Sequence, residues 1–209
     1  INEIKLSFID DKLFLYDFSY LFTIFCIIIL INALNFYDGI NAQSSIFFII
    51  CFTYLAYKSP NSNFYILMIV ALVFILFLNL NNKIFMGDNG IYLASSILIM
   101  ALIYEYNKFN TIEFADEIFF LLIIPGYDLL RLTFVRIYNG KNAFYGDRNH
   151  LHHMIMKKCS LLKTNLILVF LNLIPIILYS VLSIGFFNVL LIITIIYLIL
   201  ILKLRKKER

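Results

Sequence analysis

Apolar residues run along this chain in long blocks, and polar residues collect between them. Seven blocks stand out, roughly 18–34, 42–57, 64–80, 91–104, 117–138, 165–183 and 186–202. A helix that crosses the hydrocarbon core of a bilayer needs about 20 predominantly apolar residues, with a range of roughly 17–25. Most of the blocks approach that length, while the second and fourth draw on their polar flanks to reach it. Ahead of the first block, "IKLSFIDDKLFLY" alternates apolar residues at Ile4, Leu6 and Phe8 and turns at Asp10–Asp11. That alternation predicts a small β-hairpin on the membrane surface. The expected fold class is an all-α polytopic membrane protein with about seven transmembrane helices and a short N-terminal hairpin, residues 1–209 forming one membrane domain.

Composition agrees with this pattern. Hydrophobic residues make up 62% of the chain and charged ones 14%, which excludes an ordinary soluble domain. Cys26, Cys51 and Cys159 are scattered, so neither a disulfide framework nor a zinc knuckle is indicated. Seven crossings put the loops around 35–43, 81–90 and 139–164 on one side, together with the tail "KLRKKER". With Arg131 and Arg136 that side carries 13 of the 17 Lys and Arg residues. The other side keeps Lys5, Lys12, Lys58 and Lys108 against eight acidic residues. Positive charge marks the cytoplasmic side of short-loop membrane proteins, so the first side is expected to face the cytoplasm.

The loops with unusual polar residues all fall on that side. In "NALNFYDGIN", Asn32, Asn35 and Asp38 recur at intervals of three and would share one face of a helix end. They offer hard oxygen ligands of the kind Mg²⁺ accepts, and Gly39 would let the chain leave the helix. A helix simply ending at the water interface with polar caps explains the same residues. In "FMGDNG", Gly87 and Gly90 flank Asp88 before the fourth block. A turn there would present amides and a carboxylate to a phosphate or to its bound Mg²⁺; an ordinary N-capping loop is the plain alternative. "GDRNHLHH" holds all three histidines, His150, His152 and His153. Beside Arg148 and near Lys141, Lys157 and Lys158, they suit phosphate better than a transition metal, which would want Cys or carboxylate partners. Asp128 lies inside an apolar block just after Pro125 and Gly126, where a break or kink is allowed. A charge there needs a partner or a wet cavity, and an internal pair with Arg131 or Arg136 competes with a substrate contact.

"NALNFYDGIN", "FMGDNG" and "IPGYDLLRLTFVRIYNGKNAFYGDRNHLHH" stand in the order and at about the spacing found in polyprenyl-phosphate N-acetylhexosamine-1-phosphate transferases. The chain resembles this bacterial glycosyltransferase 4 family, closer to its WecA-like and TagO-like branches than to the MraY-like one. The resemblance implies that the phosphate of polyprenyl (undecaprenyl) phosphate attacks the sugar-bearing phosphorus of a UDP-N-acetylhexosamine such as UDP-GlcNAc. UMP leaves, with assistance from Mg²⁺, or Mn²⁺ in its place. It implies a first membrane step of envelope polysaccharide synthesis at the cytoplasmic face of a bacterial inner membrane, by a homodimer embedded in the lipid bilayer. No nucleic-acid partner is expected. Asp88 resembles the metal-binding Asp and Asn35 a second ligand, while Asp38 resembles an acidic residue near the nucleotide-sugar. His150, His152 and His153, with Arg148, resemble the family's histidine loop, which closes over the substrates. Asn32 and Arg136 join Asn35 and Arg148 as expected substrate-binding residues.

The family usually has Ser or Thr at Asn89, Ser at Ile91 and a second Gly at Ala42. Its Asp-Asp motif precedes the Asn-Asp loop on the cytoplasmic side, but the Asp10–Asp11 pair here is expected on the opposite side and is given no catalytic role. Members of these branches have about eleven crossings, so about four N-terminal helices are expected to be missing from this stretch. An inactive relic of the family and, more remotely, a polytopic transporter built around Asp128 are the rival readings. The relic would have lost the ligands that stand here, and the transporter would repeat polar residues at mid-membrane depth. The 209 residues are expected to be inactive alone; UMP release from UDP-GlcNAc by membranes containing only this stretch would contradict that.

Overall fold

A computed structural model of the chain describes residues 1–60, 62–109, 111–140, 142 and 149–205. Among the described residues the fold is helical apart from one two-stranded antiparallel hairpin, β1 (Glu3–Ile4) with β2 (Leu13–Phe14), Glu3 opposite Phe14. The helices are α1 (Ser19–Tyr37), α2 (Gln43–Lys58), α3 (Ser62–Leu80), α4 (Gly87–Tyr104), α5 (Ala115–Tyr138), α6 (Leu151–Met156), α7 (Leu161–Ile176) and α8 (Phe186–Arg205). Single π-turns extend α4 over Glu105–Phe109 and α7 over Ile177–Val181. Among the described residues six helical stretches are long and apolar enough to cross a membrane. They correspond to α1, α3, α4, α5, α7 and α8. The other predicted crossing is α2, whose 16 residues give a rise of only about 24 Å. It buries Phe47, Phe48, Cys51, Phe52 and Leu55, and Gln43, Ser44 and Ser45 at its N-terminal end are buried as well.

Helix ends depart from the apolar blocks where polar residues cap them. Ser160 accepts the Lys163 N–H and starts α7 four residues before the predicted block, and Asp88 lies within the first turn of α4 rather than in a turn ahead of it. The Pro125–Gly126 pair does not break α5, which runs unbroken from Ala115 to Tyr138.

The two ends of the bundle are fastened by different chemistry. At one end the hairpin is strapped to the start of α5. Ala115 N–H donates to Lys5 O at 2.9 Å, and Ser7 N–H donates to Asp116 Oδ2 at 2.7 Å. Phe8 packs against Phe186 with the ring centres 4.7 Å apart and the rings tilted by 33°. Asp10 and Asp11 are exposed on this hairpin, at the end away from the histidines. At the other end, asparagines tie the loops after α1 and α3 together. Asn41 donates to Asn82 Oδ1 at 2.7 Å, Ala42 N–H donates to Asn79 Oδ1 at 2.5 Å, and Asn165 of α7 donates to Asn41 O at 3.0 Å.

These bonds hold Ala42 at φ 73, in the left-handed region where a Cβ costs about 1–2 kcal/mol and glycine is at ease. That is the physical reason for the glycine usual at this position in the family the sequence resembles. Ala42→Gly is expected to raise stability by about 1 kcal/mol, read as a higher midpoint of thermal unfolding in detergent. A lower midpoint would mean that the left-handed turn is not what the position requires.

Candidate functional site

The end fastened by asparagines is also where the chemistry-bearing residues gather. α1 delivers Asn32 and Asn35 and stops at Tyr37, and Asp38 is the first residue outside it, with extended backbone angles. The expectation that Asn32, Asn35 and Asp38 share one helical face therefore holds for the asparagines only. Asn32 spends its amide on the Ile28 carbonyl of its own helix at 2.8 Å. Asp38 accepts from Ser44 Oγ at 2.6 Å. Burial and then the negative charge of Asp88 raise the Asp38 carboxyl above its ordinary value, against the opposing Ser44 hydrogen bond. Asp88 stands exposed in the first turn of α4, a helix that packs on α1.

The histidines arrive from α6. His152 is 1% exposed and its ring lies against the backbone of Gly39: a Cβ added there would come 1.8 Å from His152 Nε2. Gly39 has no left-handed φ, so it serves this close approach rather than the helix exit expected of it. The other ring nitrogen, Nδ1, faces the Gln43 amide at 3.3 Å. Burial, and then the neighbouring His153 and His150, pull the His152 imidazole down to about 3, which keeps it neutral at physiological pH. Its Nε2 is buried without a hydrogen-bond partner among the described residues.

The three rings form a column. His150 stacks on His152 at 5.5 Å and 7°, and His153 meets His152 edge-on at 4.2 Å. Phe36 stacks on His150 at 5.9 Å, and the Arg136 guanidinium sits 5.8 Å from the Phe36 ring centre. Arg136 is thus buried at the end of α5, one aromatic ring removed from the histidines.

Asp128 resolves as an internal anchor. Its carboxylate receives Arg131 Nη2 at 2.6 Å, His150 Nδ1 at 3.0 Å, Leu151 N–H at 3.1 Å and Tyr197 OH at 3.3 Å. Arg131 continues to the Asn149 carbonyl at 2.7 Å. The pair with Arg131, one of two readings open from the sequence, is present, and it carries the histidine segment with it. Lys158, read as part of a phosphate pocket, instead donates to the Lys203 carbonyl at 3.1 Å and to the Leu204 carbonyl, capping α8. This use of a cation is favourable at a helix C-terminus. Arg148 and Lys141 lie outside the described residues.

Asp38, Gly39, Gln43, His150, His152 and His153 are therefore neighbours in one cluster, with Arg136 joined to it through Phe36 and Asp88 near enough to act on Asp38 electrostatically. Gln43, Ser44 and Phe36 were missed in the sequence. The only signal for the first two is a polar pair opening an otherwise apolar block. The oxygen donors that could hold a divalent cation are Asp38, Asp88 and Asn35. Among the described residues no three His, Cys, Asp or Glu side chains form a metal cage. A sparse set of hard oxygens suits a cation completed by substrate phosphates, as Mg²⁺ commonly is, and two carboxylates in electrostatic contact fit that use.

The fold and this site define a multi-pass membrane protein with a polar centre at one end of its bundle. The chain belongs to glycosyl transferase family 4, whose family model matches residues 1–106. It is similar to an undecaprenyl-phosphate alpha-N-acetylglucosaminyl 1-phosphate transferase of Salmonella typhi, 30% identical over 158 residues, covering 70% of this chain and 43% of that protein. The protein of that name from Escherichia coli strain K12 is 30% identical over 152 residues, covering 67% of this chain and 41% of its own length. A probable undecaprenyl-phosphate N-acetylglucosaminyl 1-phosphate transferase of Bacillus subtilis strain 168 is 27% identical over 160 residues, covering 73% and 44%. The chain thus spans less than half the length of these curated relatives. No solved structure matches it.

Gly39→Ala is expected to push His152 off its seat and cost about 1–3 kcal/mol, the usual penalty of overpacking a filled site. Detergent unfolding midpoints check this. An unchanged midpoint would show that the His152 ring does not rest on Gly39.

Proposed function

We propose that this chain supplies the metal and histidine elements of an enzyme that transfers N-acetylhexosamine-1-phosphate from a UDP-sugar to polyprenyl phosphate, releasing UMP. We place the reaction at the cytoplasmic face of a bacterial inner membrane. One observation carries the reading: the Asp38–Gly39 corner and the buried His152 are in direct contact, although 113 residues of sequence separate Gly39 from His152. The relatives' names support the substrate class, and the chain's excess of Lys and Arg at this end supports the cytoplasmic side.

The chemistry suits the residues. An oxygen of the polyprenyl phosphate forms a new bond to the sugar-bearing phosphorus, and the bond from that phosphorus to the bridging oxygen breaks, with UMP as the leaving group. A phosphate monoester has a second pKa near 6, so the phosphate that arrives as the monoanion gives up its last proton to a weak base such as an imidazole. What the site must supply is compensation for crowded negative charge. Asp88 and Asn35 would hold Mg²⁺, which supplies charge neutralisation of the diphosphate. Asp38 stands beside them toward the nucleotide-sugar. Arg136 lies at the same end with a guanidinium suited to phosphate oxygens, and His150, His152 and His153 bring their imidazoles there.

The test uses membranes carrying the full reading frame that encodes this chain, with UDP-GlcNAc, undecaprenyl phosphate and Mg²⁺. UMP release is expected to fall at least about 100-fold in Asp88→Asn and in His152→Ala, the scale seen when one transition-state contact is removed. Undiminished release in both variants, or no release by the unaltered protein, would overturn the proposal.

A further inference from the structure

The mechanism above places the histidines near the substrate phosphates without saying what sets their orientation. The groups around His150 answer this. Its Nδ1 lies 3.0 Å from Asp128 Oδ2. A carboxylate can only accept, so Nδ1 carries a proton, and in the neutral ring Nε2 is then the acceptor edge. The same carboxylate takes the Leu151 N–H, the first residue of α6, at 3.1 Å and 3.2 Å to its two oxygens. One buried side chain therefore orients the His150 ring and starts the helix that carries His152 and His153.

We infer that Asp128 is a positioning residue for the transfer reaction: it holds His150 with Nδ1 protonated and Nε2 turned to a substrate phosphate, and it supports the imidazolium that forms when that phosphate shares a proton with Nε2. The inference rests on the transferase reading only for what Nε2 meets; the tautomer stands on the geometry alone. The proton balance is simple. His150 gains a proton at Nε2 from the monoanionic form of the phosphate and keeps the one at Nδ1, and Asp128 stays ionised throughout, as the carboxylate behind a catalytic imidazole does in the serine hydrolases.

Other charged or titratable groups face His150 from every element packed on it. Arg131 lies beside it on α5, tied to Asp128 at 2.6 Å. Tyr197 of α8 donates to the same carboxylate at 3.3 Å. On α6 the neutral His152 stacks on the ring, and from α1 Phe36 covers the other side, with Arg136 beyond it. Arg131 offsets the Asp128 charge, and its further bonds to Tyr197 OH at 3.1 Å and to Asn149 O at 2.7 Å hold it to the network. Asp128 remains the group in direct hydrogen-bond contact with the His150 ring.

The experiment uses the protein from its full reading frame in lipid nanodiscs, with ¹⁵N-labelled histidine and the His150 signals assigned by their loss in His150→Gln. The expected spectrum has a protonated Nδ1 and an unprotonated Nε2. In Asp128→Asn that tautomer is lost, and kcat for UMP release falls about 100- to 10,000-fold with little change in KM for the UDP-sugar. Tyr197→Phe removes one bond to the same carboxylate and leaves His150 seated. It is expected to keep the tautomer and to lose no more than about tenfold in kcat. An Nε2-protonated His150 in the unaltered protein, the same tautomer in Asp128→Asn, or equal losses in Asp128→Asn and Tyr197→Phe would each overturn the inference. If the tautomer behaves as described but the unaltered protein releases no UMP, the transferase reading fails and the positioning geometry stands.

Discussion

The Asp128 carboxylate is the constraint on which this arrangement depends. A charge at 2% exposure inside a membrane helix is tolerated only with partners. Here it gathers the donors of Arg131, His150, Leu151 and Tyr197. Those donors come from α5, α6 and α8, so one carboxylate joins three helices far apart in sequence. Removing a partner from a buried pair costs about 3–5 kcal/mol because the remaining charge is stranded. The histidine segment therefore has one low-energy seat. From that seat His152 reaches Gly39, and the corner between α1 and α2 becomes part of the same structure.

The rest of the bundle is organised around keeping that corner rigid. Asn41, Asn79 and Asn165 close the loops on either side of it, and Asn172 donates to Tyr37 OH at 2.9 Å just beneath. Each amide satisfies backbone or side-chain groups that lipid could not. At the opposite end carboxylates do the fastening. Glu117 pairs with Lys58 at 2.8 Å, and Glu105 accepts from Ser59 and Tyr65 at 2.6 Å each. Glu105 and Glu117 are thus consumed internally at one end, while at the other Asp88 stands exposed near the half-buried Asp38.

The membrane helices were legible because the hydrophobic requirement of a bilayer writes itself into long apolar blocks. The hairpin was legible from three alternating residues. Helix ends were less so, since Ser160 caps α7 ahead of the apolar block and α4 begins at Gly87, so that Asp88 falls inside its first turn. The histidine cluster and the two acidic loops could be read from residue type, and the chain's family from their order. Their contacts could not. Nothing local tells that Gly39 is small to admit His152, that Gln43 faces the same ring, or that Lys158 caps α8 instead of joining a phosphate pocket. Asn41, Asn79 and Asn165 carry no local signal, yet they are fasteners of the site, because an amide's value depends on what the fold brings opposite it. Asp128 was visible as an anomaly, but whether it served a partner or a substrate depended on where residue 150 would sit.

The most direct test uses Mn²⁺ in place of Mg²⁺ and the three histidines as reporters. If Asp88 and Asn35 bind a cation beside the histidine column, titrating Mn²⁺ into ¹⁵N-histidine-labelled full-length protein will broaden the signals of His150, His152 and His153 by paramagnetic relaxation. The same titration in Asp88→Asn will leave them sharp. Signals that stay sharp in the unaltered protein, or broaden equally in Asp88→Asn, would contradict a single site formed by the acidic loops and the histidine segment.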